Sequence, residues 1–192
     1  MRKDAKKPHG FFFVLDFFSR FLYNVISYPE VTFMDWMKET NEQLRRGAFL
    51  MVDGNPMTIG WGQFGILWNK QTFSVYVRQS RYTHDLLEHA SVFTVSVPKP
   101  GTMKDELVFC GTRSGRDIDK MSALHASLLP AAFGGQDGFA GCRYHIECRI
   151  LFRTELDEHL LEDETLLSRY YADGDPHSMY VGEILGVREE NA

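Results

Sequence analysis

Gly60-Trp61-Gly62-Gln63-Phe64-Gly65, with residues 66–71 leading into the strand-like residues 72–78, is the stretch that decides the fold. The first six residues match G-x-G-x-x-G, and Asp85 falls about twenty residues further on, the two marks of a dinucleotide-binding βαβ unit. That fingerprint works only when a helix starts at the third glycine and aims its N-terminus at a pyrophosphate. Residues 66–71 leave no room for a crossover helix, and Asp85 falls in the first turn of a different predicted helix. The doubly wound reading is therefore set aside.

Outward from this stretch the pattern is mostly that of strands. Residues 33–44 have helical spacing, with Phe33, Trp36 and Met37 on one face and Gly47 just beyond. Residues 48–52 read as a strand closed by the Asp53-Gly54 turn, and residues 57–68 are mixed and glycine-rich. Residues 72–78 put Phe73, Val75 and Val77 on one face. Thr83 is predicted to N-cap a helix with Asp85 in its first turn and Leu86, Leu87 and Ala90 as its buried stripe. Residues 92–97 alternate Phe93, Val95 and Val97 against Thr94 and Ser96. Ser114 and Asp117 have capping-box spacing and predict a helix ending before Pro130. Gly134, Gly135 and Gly138 mark a loop. Residues 143–153 form a long predicted strand with Ile146, Cys148, Ile150 and Phe152 inward. Residues 160–171 follow as a helix and residues 178–187 as the last strand. Strands with short helices between them, and no βαβ rhythm, imply a mainly β protein: an antiparallel barrel with helical insertions.

The 192 residues suffice for one domain with a substantial core. A net charge of −5, with basic residues scattered or confined to turns, argues against nucleic acid as partner. Three cysteines leave an odd number without paired spacing. Cys142 and Cys148 fall in one predicted strand at roughly 20 Å, too far for a disulfide, so a reducing, cytoplasmic compartment is expected. No Cys or His pair has zinc-ligand spacing, and no metal is expected. Residues 1–40 read as an N-terminal arm or helix and residues 41–192 as the domain. The arm's Phe-rich run is interrupted by Asp16 and Arg20, has no cleavage site, and is too short and charged for a membrane span.

Function concentrates in three turns crowded with hydroxyls and cations: residues 55–62, 77–84 and 109–120. In the second, Arg78, Ser80 and Arg81 precede a helix N-terminus, where unpaired N–H groups and an arginine fork suit a phosphate. In the third, Ser114, Arg116 and Lys120 gather at another expected helix start, with Gly111 and Gly115 allowing close backbone approach. Cys110 stands among them without a histidine partner. The first turn offers Thr58 as a donor, Gly60, and Trp61 as a stacking plate. His177, just before the last strand, reads either as a partly exposed surface residue or as a contact for a second substrate over a bound ring.

These motifs, in order, resemble the flavin reductase-like family of FMN-binding split-barrel proteins, which includes flavoredoxin. The matching segments are N-x-M-T-I-G-W-G (55–62), V-R-x-S-R-Y-T (77–83), F-T-V-S-V-P (93–98), F-C-G-T-x-S-G-R-D-x-D-K (109–120) and H-x-M-Y-x-G-E-I (177–184). The resemblance runs from about residue 41 to residue 187, and Pro56 and Gln79 depart from the family pattern. It implies a homodimeric split β-barrel holding FMN non-covalently. Asn55, Met57, Thr58, Ile59 and Trp61 would lie along the isoalloxazine and ribityl chain. Arg81, Tyr82, Thr83, Ser114, Arg116 and Lys120 would surround the phosphate, and His177 would lie near a nicotinamide. The implied activity is hydride transfer from NAD(P)H through FMN to flavin or a protein acceptor. The alternatives are an FMN electron carrier without an NAD(P)H site, or a non-redox ligand-binding barrel.

Overall fold

Period-two alternation in the middle of the chain becomes one curled antiparallel sheet. The computed structural model describes residues 33–190, with side chains from residue 36. Residues 1–32, where the Phe-rich arm is expected, lie outside the described residues. The chain divides into Met1–Trp36 and Met37–Ala192, and the sheet and every candidate site residue belong to the second unit.

After helix α1 (Phe33–Leu44) come β1 (Ala48–Val52), β2 (Asn55–Ile59), β3 (Gly62–Leu67) and β4 (Lys70–Arg78). Helix α2 (Tyr82–His89), β5 (Val92–Val97), α3 (Lys104–Thr112), the single turn α4 (Lys120–Ala123) and the short strands β6 (Leu128–Leu129) and β7 (Gly138–Phe139) follow. The long β8 (Tyr144–Glu155), α5 (Glu164–Tyr170) and β9 (His177–Glu189) complete the described chain. The main sheet has the order β2-β1-β5-β8-β9-β4-β3, every pairing antiparallel. The glycine-rich stretch is β3, paired with β4 through a turn in which Trp68 and Asn69 take φ of 52° and 57°. That left-handed pair is what a two-residue hairpin of this twist requires. No helix follows Gly65.

All five residues of β1 are buried. Phe49 and Met51 face Leu107, Cys110, Phe139 and Cys142, and Phe49 stacks on Phe139 at 4.3 Å. A strand covered on both faces loses alternation and reads as a continuous apolar run. In β5 the alternation persists, yet Thr94 and Ser96 are as buried as their apolar neighbours. They pair in register with Glu147 and His145 of β8, forming a polar seam beneath the loop over residues 131–139. The backbone N–H groups of Ala132, Phe133 and Gly135 donate to the Glu147 carboxylate at 2.7, 2.7 and 2.9 Å. Thr94 donates to Gln136 O at 2.6 Å, and Phe139 N–H donates to Ser96 Oγ at 3.0 Å. Thr94, Ser96 and Glu147 of this buried seam thereby find partners.

Five expectations are corrected. Thr83 is not the N-cap: α2 is capped at Arg81 with no side-chain bond, and the Thr83 hydroxyl turns inward to accept from Asn55. Ser114 opens no helix; its hydroxyl accepts from Arg116 N–H, and Asp119 caps the one-turn α4. The third motif, read as a turn, begins inside a helix: residues 109–112 are the last residues of α3. In β8, register shifts at Glu147/Cys148 and Ile150/Phe152 turn Phe152 out toward Trp68, and Ile150 is only partly buried. Cys142 lies before β8, and all three cysteines are free and buried. Among the described residues no helix is long and apolar enough to cross a membrane.

Candidate functional site

Three chain segments meet at one concavity: β2, the head of α2, and the α3–α4 connection. They enclose a cavity of about 140 Å³ lined by Met57, Ser80, Arg81, Tyr82, Thr83, Cys110, Thr112, Arg113, Ser114, Gly115, Arg116 and Lys120. Among the described residues no carboxylate lines it, whereas four cations and four hydroxyl-bearing aliphatic side chains do. Whole-ligand pockets run to roughly 300–1,000 Å³, so this space suits the anionic end of a ligand.

Internal bonds fix the lining. Lys120 is 4% exposed, and its ammonium donates to Pro56 O at 2.8 Å and Cys110 O at 3.1 Å. Of its three N–H groups, these two bonds leave one for a ligand. Burial lowers the Lys120 pKa, with Cys110 raising it and Arg81 lowering it further; an anion in the cavity would favour the charged form. Burial pushes the Cys110 thiol up to about 11, against the pull of Lys120 and with Glu106 raising it. Such a thiol stays protonated at neutral pH, which removes Cys110 as a nucleophile. Arg81 donates to Gly111 O at 3.1 Å. Arg116 donates to Ser80 O at 3.1 Å and pairs with Asp85 at 2.6 Å, its guanidinium 5.6 Å from the Tyr82 ring centre. No side chain caps α2; the His84 N–H donates to Arg81 O at 2.9 Å, and the Tyr82 and Thr83 N–H groups at the helix head suit an anion.

Gly115 shows how tight the wall is. A Cβ there would lie 2.2 Å from Asn55 Oδ1 and 2.7 Å from the Tyr82 ring. Asn55 cannot readily yield, since its amide donates to the buried Thr83 hydroxyl at 2.9 Å.

Of the residues singled out from the sequence, Met57, Ser80, Arg81, Tyr82, Thr83, Cys110, Ser114, Gly115, Arg116 and Lys120 line this cavity. Thr112 and Arg113 line it too and were not singled out, although both lie inside the third motif. Asn55 and Gly111 stand one layer behind, the first bonding Thr83 and the second accepting from Arg81. Thr58 donates to Leu107 O at 2.5 Å, tying β2 to α3, and Ile59 is core. Gly60 is exposed and outside the cavity lining. Arg78 does not face the cavity; it bonds to residues 170–175. Ser80 lines the cavity but commits both N–H and hydroxyl to the Asp175 carboxylate, at 3.0 and 2.7 Å.

Trp61 and His177 form a second cluster. Their ring centres are 4.5 Å apart, with Tyr170 edge-on to Trp61 at 5.2 Å and Tyr171 edge-on to His177 at 5.6 Å. His177 is 8% exposed, and its Nδ1 is buried without a hydrogen-bond partner. Burial first, and Arg78 second, lower its pKa to about 4, so the ring is neutral at pH 7. Elsewhere Ser96, His145 and Glu190 are linked at 3.0 and 3.3 Å, a serine–histidine–carboxylate chain. Ser96 is fully buried and already accepts from Phe139 N–H, so this chain holds structure together and meets no substrate.

The family model described as flavin reductase like domain matches residues 52–192. An uncharacterized protein of Archaeoglobus fulgidus is 29% identical over 149 residues, covering 76% of this chain and 73% of that one. Flavoredoxin from Methanosarcina acetivorans superposes with a TM-score of 0.58 at 23% identity, over 76% of this chain and 68% of that one. An FMN-binding protein from Thermus thermophilus gives a TM-score of 0.58 at 23% identity, over 100% and 83%. An NADH:FAD oxidoreductase from Streptomyces globisporus gives 0.57 at 19%, over 85% and 88%. At these identities the structures share the fold with this chain: a flavin reductase-like barrel.

Proposed function

The chain belongs to the flavin reductase-like domain family, and from that premise we propose that it binds FMN non-covalently and serves as an NAD(P)H-dependent oxidoreductase. One observation carries the FMN assignment: three separate segments converge on a cavity with four cations and no lining carboxylate. Its donor set suits a phosphate monoester. Arg81, Arg113, Arg116 and Lys120 supply charge, Thr112 and Ser114 supply hydroxyls, and Gly115 leaves the backbone bare. Met57, Tyr82 and Thr83 complete the lining, with Asn55 holding Thr83 from behind. When bound, FMN supplies the redox chemistry: a hydride from NAD(P)H brings two electrons, NAD(P)⁺ leaves, and the electrons pass on to free flavin or a redox protein. The chain's own residues bind and orient.

The test is direct. Purified chain should be yellow or quench FMN fluorescence on titration, and should then oxidise NADH or NADPH with free flavin as acceptor. Protein that stays colourless and leaves FMN emission unchanged would refute the assignment. A second reading, an FMN electron carrier with no nicotinamide site, would leave His177 as a packed side chain between Trp61 and Tyr171. A reducible bound flavin without nicotinamide turnover would select it. The homodimer implied by the resemblance is carried into this proposal, and sedimentation equilibrium reads it out.

A further inference from the structure

Arg78 stands directly across the β4–β9 ladder from His177. Its Nη1 donates to Asp175 O at 2.8 Å and to the two Asp173 carboxylate oxygens at 3.2 and 3.3 Å, and its Nη2 donates to Tyr170 O at 2.7 Å. Asp175 Oδ2 is 3.6 Å away, and the Tyr171 ring centre lies 6.0 Å from the guanidinium carbon. One planar fork therefore gathers the last carbonyl of α5 and the turn beyond it. The same Asp175 carboxylate accepts from Ser80 N–H and hydroxyl, so residues 170–175 are stitched to β4 and to the head of α2. The two tyrosines of that segment are the ones that close on Trp61 and His177.

We propose that Arg78 is a positioning residue. By fixing residues 170–175 it sets the wall of Trp61, Tyr170, Tyr171 and His177 against which a planar second redox substrate lies, and it leaves the phosphate to the other cations. This rests on the flavin-dependent reading above. Arginine is required because its acceptors diverge; a lysine ammonium is a point charge and cannot span from Tyr170 O to Asp173 and Asp175 at once. The unpaired Nδ1 of His177 fits a ligand-facing wall, since buried polar atoms without partners are rare. The charged groups around His177 are Arg78 on β4, Asp173 and Asp175 in the turn, and Arg81 at the head of α2. Of these, the two carboxylates raise its pKa and the two arginines lower it.

The experiment compares the full chain with Arg78→Met and Arg78→Lys. Three readouts are used: FMN affinity by fluorescence quenching, KM and kcat for NADH and NADPH with free flavin, and the His177 titration midpoint by NMR. For Arg78→Met, FMN affinity should stay within about twofold, while KM for the nicotinamide rises on the order of tenfold with a smaller change in kcat. The His177 midpoint should move up toward the ordinary histidine value, because a positive neighbour is lost and water gains access. Arg78→Lys should shift KM and the midpoint in the same directions by less, and carries the test if Arg78→Met does not fold. A tenfold loss of FMN affinity with unchanged KM and midpoint overturns the proposal and returns Arg78 to the phosphate. If the wild-type chain neither binds FMN nor oxidises NAD(P)H, the flavin reading fails separately. The His177 midpoint then decides the positioning role alone, an unmoved midpoint ending it.

Discussion

Gly115→Ala puts one methyl into the tightest wall of the cavity. Its φ lies outside the left-handed region, so the backbone accepts alanine and the cost is steric alone. The new Cβ would sit 2.2 Å from Asn55 Oδ1, 3.0 Å from Asn55 Cγ and 2.7 Å from the Tyr82 ring edge. Something must move, and the Asn55 amide is held by Thr83 at 2.9 Å. Overpacking of this kind costs about 1–3 kcal/mol, and losing the amide–hydroxyl bond adds about 1 kcal/mol. The expected loss is therefore about 2–4 kcal/mol, a fall of about 5–15 °C in Tm for a chain of this size. Urea melts at constant m-value measure it. The informative control is the cycle with Asn55→Ala, which alone costs about 1–2 kcal/mol through the orphaned, buried Thr83 hydroxyl. In the double variant only the Tyr82 contact remains, so its loss should fall short of the sum of the two single losses by about 1 kcal/mol. Additivity within about 0.5 kcal/mol, or a Gly115→Ala variant as stable as wild type, would show that Asn55 and Gly115 do not share this wall.

Arg81→Ala should weaken FMN binding by about 1.5–3 kcal/mol, the range for a hydrogen bond to a charged group; an unaltered dissociation constant in a quenching titration speaks against the phosphate assignment. Glu147→Gln replaces a carboxylate holding three backbone N–H groups, and should cost about 2–4 kcal/mol. Amide exchange at Ala132, Phe133 and Gly135 should quicken, and protection unchanged at all three would contradict the anchoring role. Stability should also fall in mild acid. His177 titrates at about 4 when folded against roughly 6.5 unfolded, so the unfolded chain takes up the proton first. The His177 contribution is complete above pH 6.5, shrinks as pH drops toward 4, and amounts to about 3 kcal/mol. His145, lowered mainly by burial, acts in the same direction. A His177→Asn variant should lose most of this acid dependence in urea melts across pH 4–7. An acid slope as steep as wild type would assign the effect elsewhere.

Elements whose pattern depends on nearest neighbours were legible. Residues 48–52 and 92–97 form strands over those same bounds, because apolar runs and period-two alternation report burial directly. The dinucleotide motif could be dismissed because chain length alone leaves no helix between Gly65 and β4. Helix α3 escaped notice: Leu107, Val108, Phe109 and Cys110 are consecutive rather than spaced, and its N-cap, Met103, sits at φ 54° with no side-chain cap. The outward turn of Phe152 depends on a register shift against β9, which no local window contains. At the site, the cations announced themselves as a class, whereas their roles depended on distant carboxylates. Asp175 lies nearly a hundred positions from Arg78 and Ser80 in the chain; with its neighbours it holds Arg78 away from the cavity and ties Ser80, which lines the cavity, to the 170–175 segment.

The burial of all three cysteines has a practical side. Burial raises the pKa of each, so the native chain offers no surface thiolate to maleimide or iodoacetamide. A single cysteine introduced at the exposed hairpin tip, Asn69, can then carry a dye or spin label without background alkylation. The native sulfhydryls become an internal clock for unfolding, since they react only as the barrel opens.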